Sequence, residues 1–245
     1  MRMMTWAMLG VVCCALPGLT QERPEESIKN AMAAAGGVDV LNKYPAGRSI
    51  GKGIMFHGGN ETPFGFEQAY EIPGRFRTVI RCEVKGQPWE LIQVVRDGVA
   101  RQTINGRTIP LTDAAMKQLQ LAALLNEVAH LTPLSDRKFT LKPARQIKGV
   151  DRLGLQVQAK GYPDLLLSFD RKTGLLQRVE YRDIDLETAR EGEAEIVLEA
   201  YKEVAGLHRP TRSTLLRDGK KVVEMTVEKF TPLEKIEPRA FTIDE

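Results

Sequence analysis

Ser49 is the residue whose surroundings first invite a chemistry. Gly47-Arg48-Ser49-Ile50-Gly51 fits the G-x-S-x-G pattern that sets a nucleophilic serine on a sharp strand-to-helix turn. His57-Gly58-Gly59 is similar to a glycine-rich oxyanion loop. The context argues against both: Pro45 precedes the motif, an alternating strand pattern follows it, and an oxyanion loop should come before the serine. A serine hydrolase built on Ser49 stays a remote alternative, and no catalytic residue is assigned. His57, His130 and His208 are the only histidines, and none has a second His, Cys or carboxylate at zinc-ligand spacing. Asp183-Ile184-Asp185-Leu186-Glu187 begins like a calcium loop but has Thr188 where the sharp turn needs Gly. No metal and no cofactor is expected.

The remaining chemistry is apolar. Phe56, Phe64, Phe66, Tyr70, Phe76 and Trp89 form the richest aromatic set in the chain, and any one of them is most simply a core residue. A single curved sheet of about ten strands under one or two helices, however, leaves space between sheet and helix, because only closure or a second sheet would fill it. Such a groove binds acyl chains or other lipophiles. Its expected lining is Phe56, Phe64, Phe66, Tyr70, Phe76 and Ile80 from strands, with Leu121 and Leu125 from a covering helix. Arg137, Lys138, Lys142, Arg145 and Lys148 form a basic run that reads as a solvated link between elements.

The elements that would position these residues follow from period and punctuation. Pro24 and two acids open a helix over 22–35, stopped by Gly36-Gly37, and 38–44 adds a further turn. From Gly47 the period changes to two. Phe64, Phe66, Tyr70 and Ile72 share one face of their strand, and Phe76, Ile80, Cys82 and Val84 one face of the next, against charged residues on the opposite face. That is antiparallel sheet with one buried and one wet face. Asp97-Gly98, Asn105-Gly106 and Asp218-Gly219 mark hairpin turns, and Asp170-Arg171-Lys172-Thr173-Gly174 joins strands 165–169 and 175–181. Thr112 caps a helix over 112–131 whose Leu121, Leu124, Leu125, Val128 and Leu131 fall at helical spacing, with Pro133 blocking continuation. A helix set midway through a meander must bury that stripe on the sheet, as a lid.

Thirty-five Lys and Arg against 32 Asp and Glu leave a formal charge of +3, which gives no nucleic-acid footprint. Met1-Arg2, the apolar stretch 6–16 and the break at Pro17-Gly18 read as a secretory signal peptide over 1–20, whose eleven apolar-biased residues are fewer than the about 20 a membrane span needs. Val11-Val12 before Cys13 do not make a lipobox, so a lipid anchor is not expected. Once that segment is removed Cys82 alone remains, and no internal disulfide forms. The rest, 21–245, has no linker and reads as one domain.

Several stretches together resemble the LolA and LolB-like lipoprotein-carrier superfamily of outer membrane lipoprotein-sorting domains. They are Ala33-Ala34-Ala35-Gly36-Gly37 before Leu41, Gly51-Lys52-Gly53 in the first strand, and Phe169-Asp170-Arg171-Lys172-Thr173-Gly174-Leu175. Tyr201 with Gly206-Leu207-His208-Arg209-Pro210, and Phe241 near the end, complete the set. The resemblance implies a mainly β (α+β) half-barrel: one curved antiparallel sheet whose concave face is covered by an N-terminal and a mid-chain helix. It further implies a non-enzymatic periplasmic or cell-envelope protein, not integral to the membrane, that binds a lipid or lipoprotein acyl chain. The alternative is a structural or regulatory module with a filled core that binds another envelope protein.

Overall fold

The computed structural model describes residues 23–144, 152–186 and 188–243. The expected signal peptide, and Arg145 and Lys148 of the basic run, lie outside those residues. Two short helices, α1 (Pro24–Ala34) and α2 (Val38–Lys43), lead into a first meander. Its strands are β1 (Ala46–His57), β2 (Asn60–Glu71), β3 (Arg75–Val84), β4 (Gln87–Arg96), β5 (Val99–Ile104) and β6 (Arg107–Thr108). Helix α3 (Asp113–His130) and a 3-10 turn (Thr132–Ser135) separate it from a second meander. That one comprises β7 (Phe139–Pro143), β8 (Arg152–Ala159), β9 (Leu165–Asp170), β10 (Leu176–Ile184), β11 (Glu191–Val204), β12 (Leu207–Arg217) and β13 (Lys220–Leu233).

Both meanders join in one 13-stranded antiparallel sheet, because β1 pairs with β13 and so welds the first strand to the last. The sheet is curved and unclosed, a half-barrel, with β6 and β7 as its opposite edges. The chain must pass from one edge to the other between β6 and β7, and α3 makes that crossing over the concave face. At 1.5 Å per residue its 18 residues span about 27 Å. Thr112 Oγ1 accepts from the Ala115 amide and caps the helix start. The hairpin turns are built by the residues that signalled them: φ is positive at Asp97-Gly98, Asn105-Gly106 and Asp218-Gly219, as a type I′ turn requires. Asp170 Oδ1 accepts from the amides of Lys172 and Thr173 and from Thr173 Oγ1, which pins the β9–β10 loop.

The helical stripe divides between two clusters. Leu121, Leu124 and Val128 pack with Ile28 and Ala31 of α1 on Leu155, Val157, Leu165 and Leu167 of the second meander. Leu119 and Ala123 pack on Tyr70, Phe76, Val95 and Ala100 of the first. A third cluster lies on the convex face, where the tail after β13 brings Ile236 and Phe241 against Ala46, Ala69 and Val94. The expectation of a wet outer face therefore fails across β1–β4, and Arg77 Nη1 ties the tail down by donating to the Thr242 carbonyl.

The link expected over 137–148 is also corrected in part: residues 139–143 are strand β7, with Phe139 buried and Leu141 packed against the core. Phe139, Leu141 and Pro143 alternate with Thr140 and Lys142, which is a strand pattern that the surrounding charge obscured. Lys138 pairs with Glu127 of α3, a carboxylate that is itself buried. Among the described residues no helix is long and apolar enough to cross a membrane.

Candidate functional site

The second meander does not stay flush with the first. Pro210 of β12 has no N–H to give the ladder, and Ala200 of the neighbouring β11 adopts a positive φ of 53° at an irregularity in the pairing. The β12–β13 ladder ends at Arg212↔Thr226, while β13 continues to Leu233 paired only with β1. Strands β12 and β13 part there. The parting opens a cavity of about 340 Å³ between α3 and the central strands. Leu125, Asn126 and Ala129 of α3 form its roof. Val179, Ile196, Leu198, Met225, Val227 and Phe230 give it apolar walls, and Ser49 and Gln68 lie on its floor as a cross-strand pair. A smaller cavity of about 270 Å³ lies near the start of α3, between Leu121, Tyr162 and Ile184.

One end of the larger cavity is cationic. The Arg209 guanidinium lies 5.4 Å from the ring centroids of both Tyr70 and Phe230, and its Nη2 donates to Tyr70 Oη. Among the described residues no carboxylate lies within ion-pair distance of Arg209 or of Lys202, which also lines the cavity. The other lining charges are already paired: Arg212 with Glu199 at 3.0 Å, and Glu228 with Lys52 at 2.8 Å. Tyr201 Oη donates to the Leu176 carbonyl, and burial holds its phenol well above the ordinary value. Beside the site His130 is almost fully buried. Its Nε2 lies 3.1 Å from the Tyr44 carbonyl, which can only accept, so Nε2 carries the proton and Nδ1 accepts from Thr132 Oγ1. Burial, and next the Arg209 charge, draw its pKa from 6.5 down to about 4.

Of the eight residues expected to line a groove, Tyr70 and Leu125 line this cavity and Leu121 lines the smaller one. Phe64 and Phe66 are buried on the concave face with their rings lying over Gly53 and Gly51, so that a Cβ at Gly51 would come within 2.7 Å of the Phe66 ring. Phe76 belongs to the cluster under α3, and half-buried Ile80 stands across from Phe66. Phe56 has the parity of Ile50 and Ile54 and lies on the convex face, its ring 5.3 Å from Lys221 Nζ. Arg209, Tyr201, Leu198 and Phe230 were not expected to line a groove. Tyr201 and Arg209 stood out in the sequence only within the strand-pair motif of the resemblance, and Pro210 inside a strand pattern is a signal of irregular pairing.

The other motifs settle into structural roles. Ser49 sits inside β1, paired on both sides, so the strand-turn-helix geometry of a nucleophile elbow is missing; His57-Gly58-Gly59 is the β1–β2 turn. Asp183 and Asp185 accept from one guanidinium, Arg217, at 2.7 and 2.9 Å. Among the described residues no group of three or more His, Cys, Asp or Glu is placed to hold a metal. Cys82 is free and half-buried, and its burial pushes the thiol pKa up.

No protein-family model and no curated protein matches the sequence. Solved structures do match in fold. An outer membrane lipoprotein-sorting protein domain from Vibrio parahaemolyticus superimposes with a TM-score of 0.53 at 10% identity, over 89% of this chain and 97% of that one. The fold is LolA-like. A LolA superfamily protein from Nitrosomonas europaea matches with a TM-score of 0.54 at 12% identity, and a DUF1329 family protein from Desulfovibrio piger with 0.55 at 12%. Each covers 89% of this chain and 97% of the other. At such identities the likeness is one of LolA-like architecture, and function must be argued from the site.

Proposed function

We propose that this LolA-like chain is an exported, non-enzymatic protein of the cell envelope that holds a lipophilic ligand in the cavity between α3 and the central strands. Residues 1–20 act as the export signal and 21–245 as a single binding domain. The observation that carries the proposal is the parting of β12 from β13, which leaves an apolar-walled space of about 340 Å³ where a closed ladder would have been filled. That volume is at the small end of the roughly 300–1,000 Å³ of ligand sites, enough for one acyl chain. Tyr70 and Leu125 touch the ligand. Phe64, Phe66, Phe76, Ile80 and Leu121 shape the face and helix that enclose it, and Phe56 braces the sheet from behind. The driving force is apolar burial, about 25 cal/mol per Å² less the cost of ordering the chain.

The test is native mass spectrometry with lipid extraction on protein purified without detergent from an exporting host. A stoichiometric co-purified lipid, lost on Leu198→Asp, is expected. If the variant retains its lipid, the groove is misplaced. A clean apo mass that also ignores added fatty acids would favour the second reading, a module that binds an envelope protein. The open sheet supports that reading through its edge strand β7, which among the described residues has a strand partner, β8, on one side only.

A further inference from the structure

We infer that the groove takes a single-chain amphiphile with a carboxylate head, bound by Arg209; the inference rests on the groove reading above and adds the chemistry of the head. A purely hydrophobic cargo would leave the cation of Arg209 desolvated with nothing to balance it, a costly arrangement at the wall of an apolar cavity. The guanidinium offers five N–H donors, of which the structure commits one to Tyr70 Oη. Its position over the Tyr70 and Phe230 rings holds it in place before any ligand arrives. A planar, fixed guanidinium with unused donors matches a carboxylate, which it can grip with two parallel hydrogen bonds.

The surroundings point to the same head group. Exposed Lys202 adds a second positive charge at the cavity rim, with no carboxylate at ion-pair distance among the described residues, whereas Arg212 and Glu228 are satisfied by Glu199 and Lys52. His130 contributes no charge near neutral pH, since its pKa lies at about 4. The cavity is thus apolar along Leu125, Val179, Ile196 and Leu198 and positive at Arg209 and Lys202, which is the polarity of a fatty acid read in reverse. About 340 Å³ suits one chain rather than the several chains of a phospholipid or an acylated lipoprotein.

The experiment compares laurate with 1-dodecanol, ligands of equal chain length that differ in head group, by isothermal titration calorimetry at low salt. Laurate should bind the wild-type protein at least about tenfold tighter, the range of a charge-assisted hydrogen-bonded pair. Arg209→Gln should bring the two affinities together, and Arg209→Lys should restore part of the difference. Equal affinities in the wild type would overturn the carboxylate while leaving the groove intact. A preference for laurate that survives Arg209→Gln would overturn the role of Arg209. Failure of both ligands to bind would refute the groove reading itself. The wild-type comparison decides the head group even if the variants fold poorly.

Discussion

Acidification from pH 7.5 to 5.0 is expected to destabilise the protein through one side chain, His130. The imidazole is buried and neutral, donating from Nε2 to the Tyr44 carbonyl and accepting at Nδ1 from Thr132 Oγ1, with the Arg209 cation nearby. Its pKa is about 4 in the folded protein against 6.5 when exposed. The unfolded chain therefore binds more protons between those values, so this contribution is complete above 6.5 and is lost as pH falls toward 4. At 1.36 kcal/mol per pH unit the full difference is about 3 kcal/mol, of which about 2 kcal/mol is gone by pH 5.0. With a urea slope of about 2 kcal/mol per molar, the unfolding midpoint should fall by about 1 M between pH 7.5 and 5.0. Most carboxylates stay ionised over that interval, so His130→Gln should flatten the dependence. Imidazole NMR on the wild type should place the titration of His130 near pH 4. A midpoint near 6.5, or an unchanged pH slope in His130→Gln, would refute the argument.

Two further substitutions test how the fold frames the groove. At Gly51 a Cβ would lie 2.1 Å from the Thr226 carbonyl oxygen as well as against the Phe66 ring, so Gly51→Ala must push β1 away from β13. It should cost about 2 kcal/mol or more in urea unfolding, whereas Gly65→Ala, where the nearest atom is 3.9 Å away, should be near neutral; equal effects would sink the explanation. Phe241→Ala removes the anchor of the tail on the convex face, a ring only 1% exposed. A loss of about 3–5 kcal/mol is expected, and a thermal midpoint within a degree of wild type would show that the tail does not stabilise the sheet.

What the sequence determined by itself was everything whose cause lies within a few residues. Asp170 and Thr173 shape their loop by bonds that span two or three positions, Asp218-Gly219 turns a hairpin because Gly tolerates positive φ, and Thr112 caps α3 three residues away. The period-two runs and the leucine stripe of α3 then imply a one-sided sheet with a helix across it. The same local logic misled where charge masked alternation, as in Phe139–Pro143, and where polar residues on the outer face hid the dock for Phe241.

The site was a matter of tertiary structure. Its cavity exists because β13 follows β1 while β12 leaves it, a contest between a local hairpin ladder and one whose partners are separated by most of the chain. Arg209 reaches Tyr70 across 139 residues, and nothing near either position in the sequence marks them as partners. Whether an apolar side chain fills space or lines it depends on what packs opposite, and that is fixed only when both meanders close on α3.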